Sequence, residues 1–274
     1  MEDTGVRWVD THVHWDASEF DVDREAALSR AKAAGVVACF NPTVRVAGFE
    51  QVRRLAEESA QRADWPLLLP AYGIHPLYVE AAEASDLDRL NQQLTTHRPM
   101  ALGEIGLDAY PGAPDGSLQR SWFEAQLALA IQHELPVLLH VRHAVEAVIQ
   151  SLKRVQGSRL KLAGGIAHAF NGSEHQAEQL MRMGFLLGFG GSLTYEGSTR
   201  IRRLAKQIPM THLVLETDAP DMSPVWLSRA RNESSELPKV AQALADLRGL
   251  PLCEIARQTS VNAEGVVCAG GFVH

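Results

Sequence analysis

Short apolar runs alternate with longer amphipathic ones along the whole chain. Runs at 6–11, 36–41, 67–74, 99–105, 135–141, 160–168, 185–190 and 212–218 predict eight strands. They begin roughly 30 residues apart, about the length of one βαβ unit. Several are almost unbroken apolar stretches, as in Leu67-Leu68-Leu69, Pro136-Val137-Leu138-Leu139 and Leu213-Val214-Leu215. A strand with one wet face alternates apolar and polar residues. A strand of a parallel sheet, covered on both faces, reads as these do.

Helical spacing fills the intervals. Asp23 to Ala34 mixes Ala and Leu with charged residues, and 117–134 places Leu118, Trp122, Phe123, Leu127, Leu129 and Ile131 largely on one face. Further helices are predicted over 174–183, 199–207, 237–247 and 252–262. Eight strands, each followed by a helix, within about 250 residues is the arithmetic of an α/β fold of the (β/α)8 barrel type. No composition break marks a linker, so a single domain is expected over 1–274. A doubly wound sheet has the same alternation but carries a Gly-rich phosphate turn after its first strand. Here that strand ends in Asp10-Thr11-His12-Val13-His14. The cluster Gly188-Phe189-Gly190-Gly191 follows a late strand and does not fit that turn.

Composition narrows the class. The chain has 274 residues, 46% of them hydrophobic and 22% charged, which excludes disorder for most of its length. Its net charge of -7 argues against binding nucleic acid through a broad basic surface. It leaves room for an enzyme that reaches phosphates locally through metal ions. Cys39, Cys253 and Cys268 are odd in number and far apart, which supports neither a disulfide framework nor a zinc ribbon. The polar, acidic start lacks the features of a secretory signal, and no run approaches the length of a membrane span. The expectation is a reduced, cytoplasmic, monomeric protein with no membrane partner.

Seven chemically loaded residues fall near the C-terminal ends of the predicted strands: His12 and His14 on the first, His75 on the third, Glu104 on the fourth, His140 on the fifth, His168 on the sixth and Asp218 on the eighth. In a barrel those ends share the face that holds the active site. Residues i and i+2 of a strand point to one side, so His12 and His14 can aim at one point and clamp a divalent ion. Asp10 stands where it can orient an imidazole. Taken singly, three of the others have a plain structural reading: a salt bridge for Glu104, satisfied core histidines for His140 and His168. Together they exceed what one tetrahedral ion requires. A two-ion site bridged by Glu104 fits better, and such a pair focuses positive charge on a phosphodiester.

The residues Asp10-Thr11-His12-Val13-His14, Tyr72-Gly73-Ile74-His75-Pro76, Gly103-Glu104-Ile105-Gly106-Leu107-Asp108, His140-Val141-Arg142, His168-Ala169-Phe170-Asn171-Gly172-Ser173, Glu216-Thr217-Asp218-Ala219-Pro220 and Arg231-Asn232-Glu233 resemble, in order, the motifs of the TatD family of metal-dependent deoxyribonucleases. The resemblance runs from about residue 7 to 263 and implies a TIM barrel that hydrolyses DNA phosphodiesters from the 3′ end. It implies two divalent ions (Mg2+, Mn2+ or Zn2+), one held by His12, His14, Glu104 and Asp218 and the other by Glu104, His140 and His168. Asp218 would also orient or deprotonate the attacking water, making Asp218 and Glu104 the catalytic pair. His75 and Arg142 match positions that face the substrate phosphate.

Four departures bear on substrate preference rather than on metal binding. His143 replaces the usual aspartate, Ser234 replaces the usual proline, 109–114 is rich in turn formers, and Val266-Val267 replace a Leu-Phe pair. Arg200, Arg202, Arg203 and Lys206 read better as a solvated helix face than as a DNA contact. Tyr195 and Trp226 can stack on a base or pack at the rim. The competing reading is a barrel metallohydrolase acting on C–N or C–O bonds of a small molecule. It shares the His-x-His start, but many such enzymes bridge their metals with a modified lysine where this chain has Glu104. A third reading, a metal or nucleic-acid binding protein without catalysis, sits poorly with the intact ligand set.

Overall fold

A computed structural model describes residues 6–156 and 162–271. The strands are β1 (Trp8–Asp10), β2 (Val36–Pro42), β3 (Leu67–Tyr72), β4 (Ala101–Gly106), β5 (Val137–His140), β6 (Gly165–Ala167), β7 (Phe185–Phe189) and β8 (Leu213–Leu215). They form one eight-stranded sheet in the order β1 to β8. The helices are α1 (Arg24–Ala33), α2 (Phe49–Ser59), α3 (Ser85–Thr96), α4 (Gly116–Gln132), α5 (Val145–Gln156), α6 (Glu174–Arg182), α7 (Thr199–Gln207), α8 (Leu237–Arg248) and α9 (Leu252–Ala269). Sequential parallel strands alternating with helices define the (β/α)8 barrel predicted from the strand spacing.

All eight predicted strands are present. Residues 160 and 161 of the sixth, and His274, lie outside the described residues. Helices α2, α3 and α5 add to the predicted set, and α9 runs seven residues past the expected end at Asn262. No described helix is long and apolar enough to cross a membrane.

Internal contacts group the chain into two units. The first comprises Met1–Asn41, Arg53–Leu69 and Gly188–Glu264. Its core is built from Trp15, Phe20, Leu28, Phe40, Phe189 and Leu213, all buried. Within it the chain after β8 is tied to the chain after β1. Thr11 N donates to Leu215 O (3.1 Å), Asp218 N to His12 O (2.8 Å) and His14 N to Ala219 O (2.8 Å).

The second unit comprises Pro42–Val52, Pro70–Leu187 and Gly265–His274. Every residue of β4 is buried, as are Val137, Leu138 and Leu139 of β5. Burial of each such leucine or valine contributes about 1.5–3 kcal/mol. Helix α4 packs its Phe123 and Leu127 inward. Its start is fixed by Asp115, whose carboxylate accepts from the backbone N–H groups of Ser117 and Leu118. A capping box of Ser173 and Gln176 starts α6 in the same way.

Candidate metal centres

Each proposed ligand stands at or just past the C-terminal end of a strand, except Glu104, which lies two residues before the end of β4. In the first unit, His12, His14 and Asp218 bring one ligand atom apiece to within 4.8 Å of one another. Asp218 Oδ1 lies 3.7 Å from His12 Nε2 and 3.8 Å from His14 Nε2. An ion about 2.1 Å from tetrahedral donors separates them by about 3.4 Å, so this trio fits a divalent cation with little adjustment. The imidazoles meet edge to face, with centroids 5.1 Å apart. They lie past the strand rather than within it, and the parallel bridge of Val13 to Ala219 keeps the strand-like alternation. Asp218 has φ +55°, a region costly to a side-chain-bearing residue and held by its neighbours.

Asp10 does something other than orient an imidazole. Its fully buried carboxylate accepts from Thr217 N (2.9 Å), Thr217 Oγ1 (2.6 Å) and Ser234 Oγ (2.6 Å), and weakly from His12 N (3.4 Å). Burial pushes its pKa up to about 7, against the pull of these four donors. One carboxylate therefore clasps both chain segments that carry the trio. Asn232 adds to the clasp by donating to Thr217 O at 2.8 Å. Its neighbours in the Arg231-Asn232-Glu233 motif are structural. Arg231 pairs with Asp23 (2.6 Å) and covers the Phe20 ring, while Glu233 pairs with Arg30 (2.7 Å).

In the second unit, three imidazoles converge on one carboxylate oxygen. Glu104 Oε1 lies 2.7 Å from His140 Nδ1, 2.9 Å from His168 Nε2 and 3.4 Å from His75 Nε2. His75, expected to face a phosphate, thus belongs to the donor group itself, 3.0 Å from His140. The far nitrogen of His140 is 2.9 Å from Asp108 Oδ2, the carboxylate–histidine pairing that fixes a ligand's tautomer and orientation. Burial opposes protonation of His140, but the hydrogen bonds to Asp108 and Glu104 win and raise its pKa. Burial likewise works against ionised Asp108, yet His140, the Tyr110 N–H and Arg142 hold its pKa below the usual range.

The scaffold beneath this group explains its register. Gly106 has φ +151°, and a Cβ there would stand 2.0 Å from His140 O, so only glycine lets β4 and β5 meet at this point. Glu104 N donates to Thr43 O, and Thr43 Oγ1 holds Gly73 at both its N–H and its carbonyl. Two buried glutamines of α4 complete the frame. Gln126 bonds both backbone groups of Ile74, beside His75 (2.8 and 3.0 Å), and Gln119 does the same for Asp108 (2.8 and 2.9 Å). Asp108, Gln119 and Gln126 received no role from the sequence, though Asp108 stood inside a quoted motif. Ser234, read as a departure bearing on substrate preference, instead donates to Asp10 beneath the first donor trio.

The remaining expectations fall out separately. The Arg142 side chain is 47% exposed, 3.8 Å from Asp108, and lies over the Tyr110 ring with 3.8 Å from guanidinium carbon to centroid. Tyr195 and Trp226 are spoken for at their polar tips, by Ser223 O and Glu236. Arg202 donates to Leu193 O, so the basic stretch on α7 is partly structural.

A barrel with imidazole and carboxylate donors at the C-terminal ends of its strands defines the class of metal-dependent hydrolases. The family model described as TatD related DNase matches residues 9–267, and the chain belongs to that family. It is 36% identical over 254 residues to the uncharacterized metal-dependent hydrolase YjjV of Escherichia coli, covering 92% of this chain and 94% of that one. The crystal structure of YjjV superimposes with a TM-score of 0.88 over 95% of this chain and 98% of that one. The 3′-5′ ssDNA/RNA exonuclease TatD of Erwinia tasmaniensis is 33% identical, covering 93% of this chain and 97% of that one.

Proposed function

We propose that the chain is a divalent-metal-dependent 3′–5′ exonuclease that hydrolyses phosphodiester bonds of single-stranded or frayed DNA. One ion is held by His12, His14 and Asp218, a second by Glu104, His140 and His168. The observation that carries the reading is the pair of donor groups, each of imidazoles with one carboxylate, in a chain of the TatD family. The mixed nitrogen and oxygen set suits Mg2+, Mn2+ or Zn2+. When bound, the ions supply Lewis-acid activation of the phosphoryl group and a water acidic enough to be deprotonated near neutral pH.

The protein's own groups do the rest. Asp218, seated between two imidazoles and partly open to solvent, orients the attacking water and accepts its proton. Glu104 concentrates negative charge among His75, His140 and His168, keeping these imidazoles in fixed orientation. Asp108 anchors His140 from behind. Arg142 reaches the solvent side, where a guanidinium neutralises a non-bridging phosphate oxygen. His75 adds a third imidazole beside Glu104 and His140.

The test is digestion of a 5′-labelled single-stranded oligonucleotide by protein stripped of metal and resupplied with Mg2+, Mn2+ or Zn2+. Shortening from the 3′ end is expected with metal, and none with chelator or in Glu104→Ala. Full activity in excess chelator would overturn the reading, as would turnover of lactones or amides without any cleavage of DNA.

A further inference from the structure

Four arginine side chains lie over aromatic rings among the described residues. That number alone says nothing, because such pairs occur about once per 70–80 residues. Their surroundings separate them. Arg62 over Trp65 and Arg231 over Phe20 cover buried rings, and both guanidiniums are held by carboxylates at 2.9 Å or less. Those two pairs are packing.

The other two differ on every count. Arg45 lies over Tyr78 at 5.5 Å and Arg142 over Tyr110 at 3.8 Å. Tyr78 and Tyr110 are 38% and 47% exposed. Among the described residues neither phenol makes a hydrogen bond, Arg45 has no ion pair, and the nearest carboxylate to Arg142 is 3.8 Å away. A guanidinium held at most by one long ion pair, beside a half-exposed aromatic ring, keeps binding capacity that the fold does not fully consume.

Both pairs are wired to the second donor group. The Tyr78 ring packs edge-on against that of His75, 6.1 Å between centroids, and the backbone of Val44, just before Arg45, accepts from His75 N. Tyr110 N donates to Asp108, whose other carboxylate oxygen faces His140 and Arg142. One pair is thus reached from His75 and the other from His140, which are themselves 3.0 Å apart. Arg45 and Tyr78 also border a hollow of about 360 Å³ lined by apolar Val46, Ile74 and Ala82 and by charged Glu83, Asp86 and Arg89, within the range of small-ligand sites.

We propose that Arg45–Tyr78 and Arg142–Tyr110 are two nucleotide platforms flanking the histidine donors, each stacking one base of a single strand on its tyrosine and taking a phosphate on its arginine. This deepens the nuclease reading and rests on it for the identity of the ligand. Stacking on a flat ring is indifferent to base identity, so the platforms confer preference for unpaired ends over duplex and little preference for sequence.

The experiment uses the whole protein with Tyr78→Ala, Tyr110→Ala and the double variant, and Tyr→Phe at each position. Hydrolysis of oligothymidylate is measured with saturating Mn2+, and anisotropy of fluorescein-labelled oligothymidylate with Ca2+ in its place. Each alanine is expected to raise KM and weaken binding about tenfold. The effect falls on KM rather than kcat, and phenylalanine restores binding because it keeps the ring. Unchanged binding in the double variant would overturn the proposal, as would wild-type protein that binds no oligonucleotide. Wild-type protein that binds the oligonucleotide without cutting it defeats the nuclease reading alone, and the anisotropy series then still decides the platforms.

Discussion

Ser234 Oγ donates to Asp10 Oδ2 at 2.6 Å, joining residues 224 positions apart in sequence. The same oxygen accepts from Thr217 Oγ1 at 2.6 Å, so the serine completes the clasp between the His12 and Asp218 segments. The first donor trio is therefore held in part by a hydrogen bond that the Ser234 hydroxyl supplies.

Replacing that hydroxyl leaves a buried carboxylate one donor short. Ser234→Ala is expected to lose about 1–3 kcal/mol of stability, read as a lower urea midpoint at unchanged slope. Ser234→Thr, which keeps the hydroxyl, recovers most of it. Equal midpoints for wild type and alanine variant would show that the bond contributes nothing.

Asp108 reaches the second donor group through His140, 2.9 Å away. Asp108→Asn keeps the shape but removes the charge that orients His140. Metal affinity or activity should fall about 10–100-fold, measured by Mn2+ titration calorimetry alongside nuclease rate. A variant with wild-type affinity and rate would make Asp108 a packing residue.

Gly106→Ala tests the register of β4 on β5. The added methyl meets His140 O at 2.0 Å, a clash with backbone that no side-chain rotation relieves. A loss of about 3 kcal/mol, the upper end for overpacking, is expected in chemical denaturation. Near-neutral stability would mean that the strands approach less closely than described.

The acid side of the stability curve should follow the Arg231 network. Hydrogen bonds from Arg231 and Arg30 hold Asp23 well below the usual carboxylate range; Glu233 is also lowered, since Arg30 and Ser235 outweigh its burial. Groups with depressed folded pKa values stabilise fully above their unfolded values near 4, and that contribution drains as pH falls through the folded ones. Arg231→Met is therefore expected to cost about 1 kcal/mol at pH 7 and progressively less toward pH 2. A difference that is flat with pH would place the energy in packing over Phe20 instead.

The strands were legible because both their faces are covered, so the apolar runs are nearly continuous and need no period to be seen. Helix α3 was harder: only Leu90 and Leu94 are buried in it, too thin a stripe to stand out from polar sequence. Helix α5 carries Val145, Val148, Ile149 and Leu152 at full helical spacing, a pattern that strand counting passes over. The donors His12, His14, Glu104, His140, His168 and Asp218 were legible because imidazole and carboxylate are costly at the end of an apolar strand without a purpose. Their braces were not. Gln119 and Gln126 look like interruptions of an apolar helix face until the Asp108 and Ile74 backbones are seen bonded to them. Ser234 looks like a lapse from a motif until Asp10 is found beside it.

The central claim is that these donors hold divalent ions, and anomalous scattering from a manganese-soaked crystal tests it most directly. Two peaks are expected, one among His12, His14 and Asp218 and one among Glu104, His140 and His168, the second lost in Glu104→Ala. Crystals saturated with manganese that give no peak at either group would contradict the account.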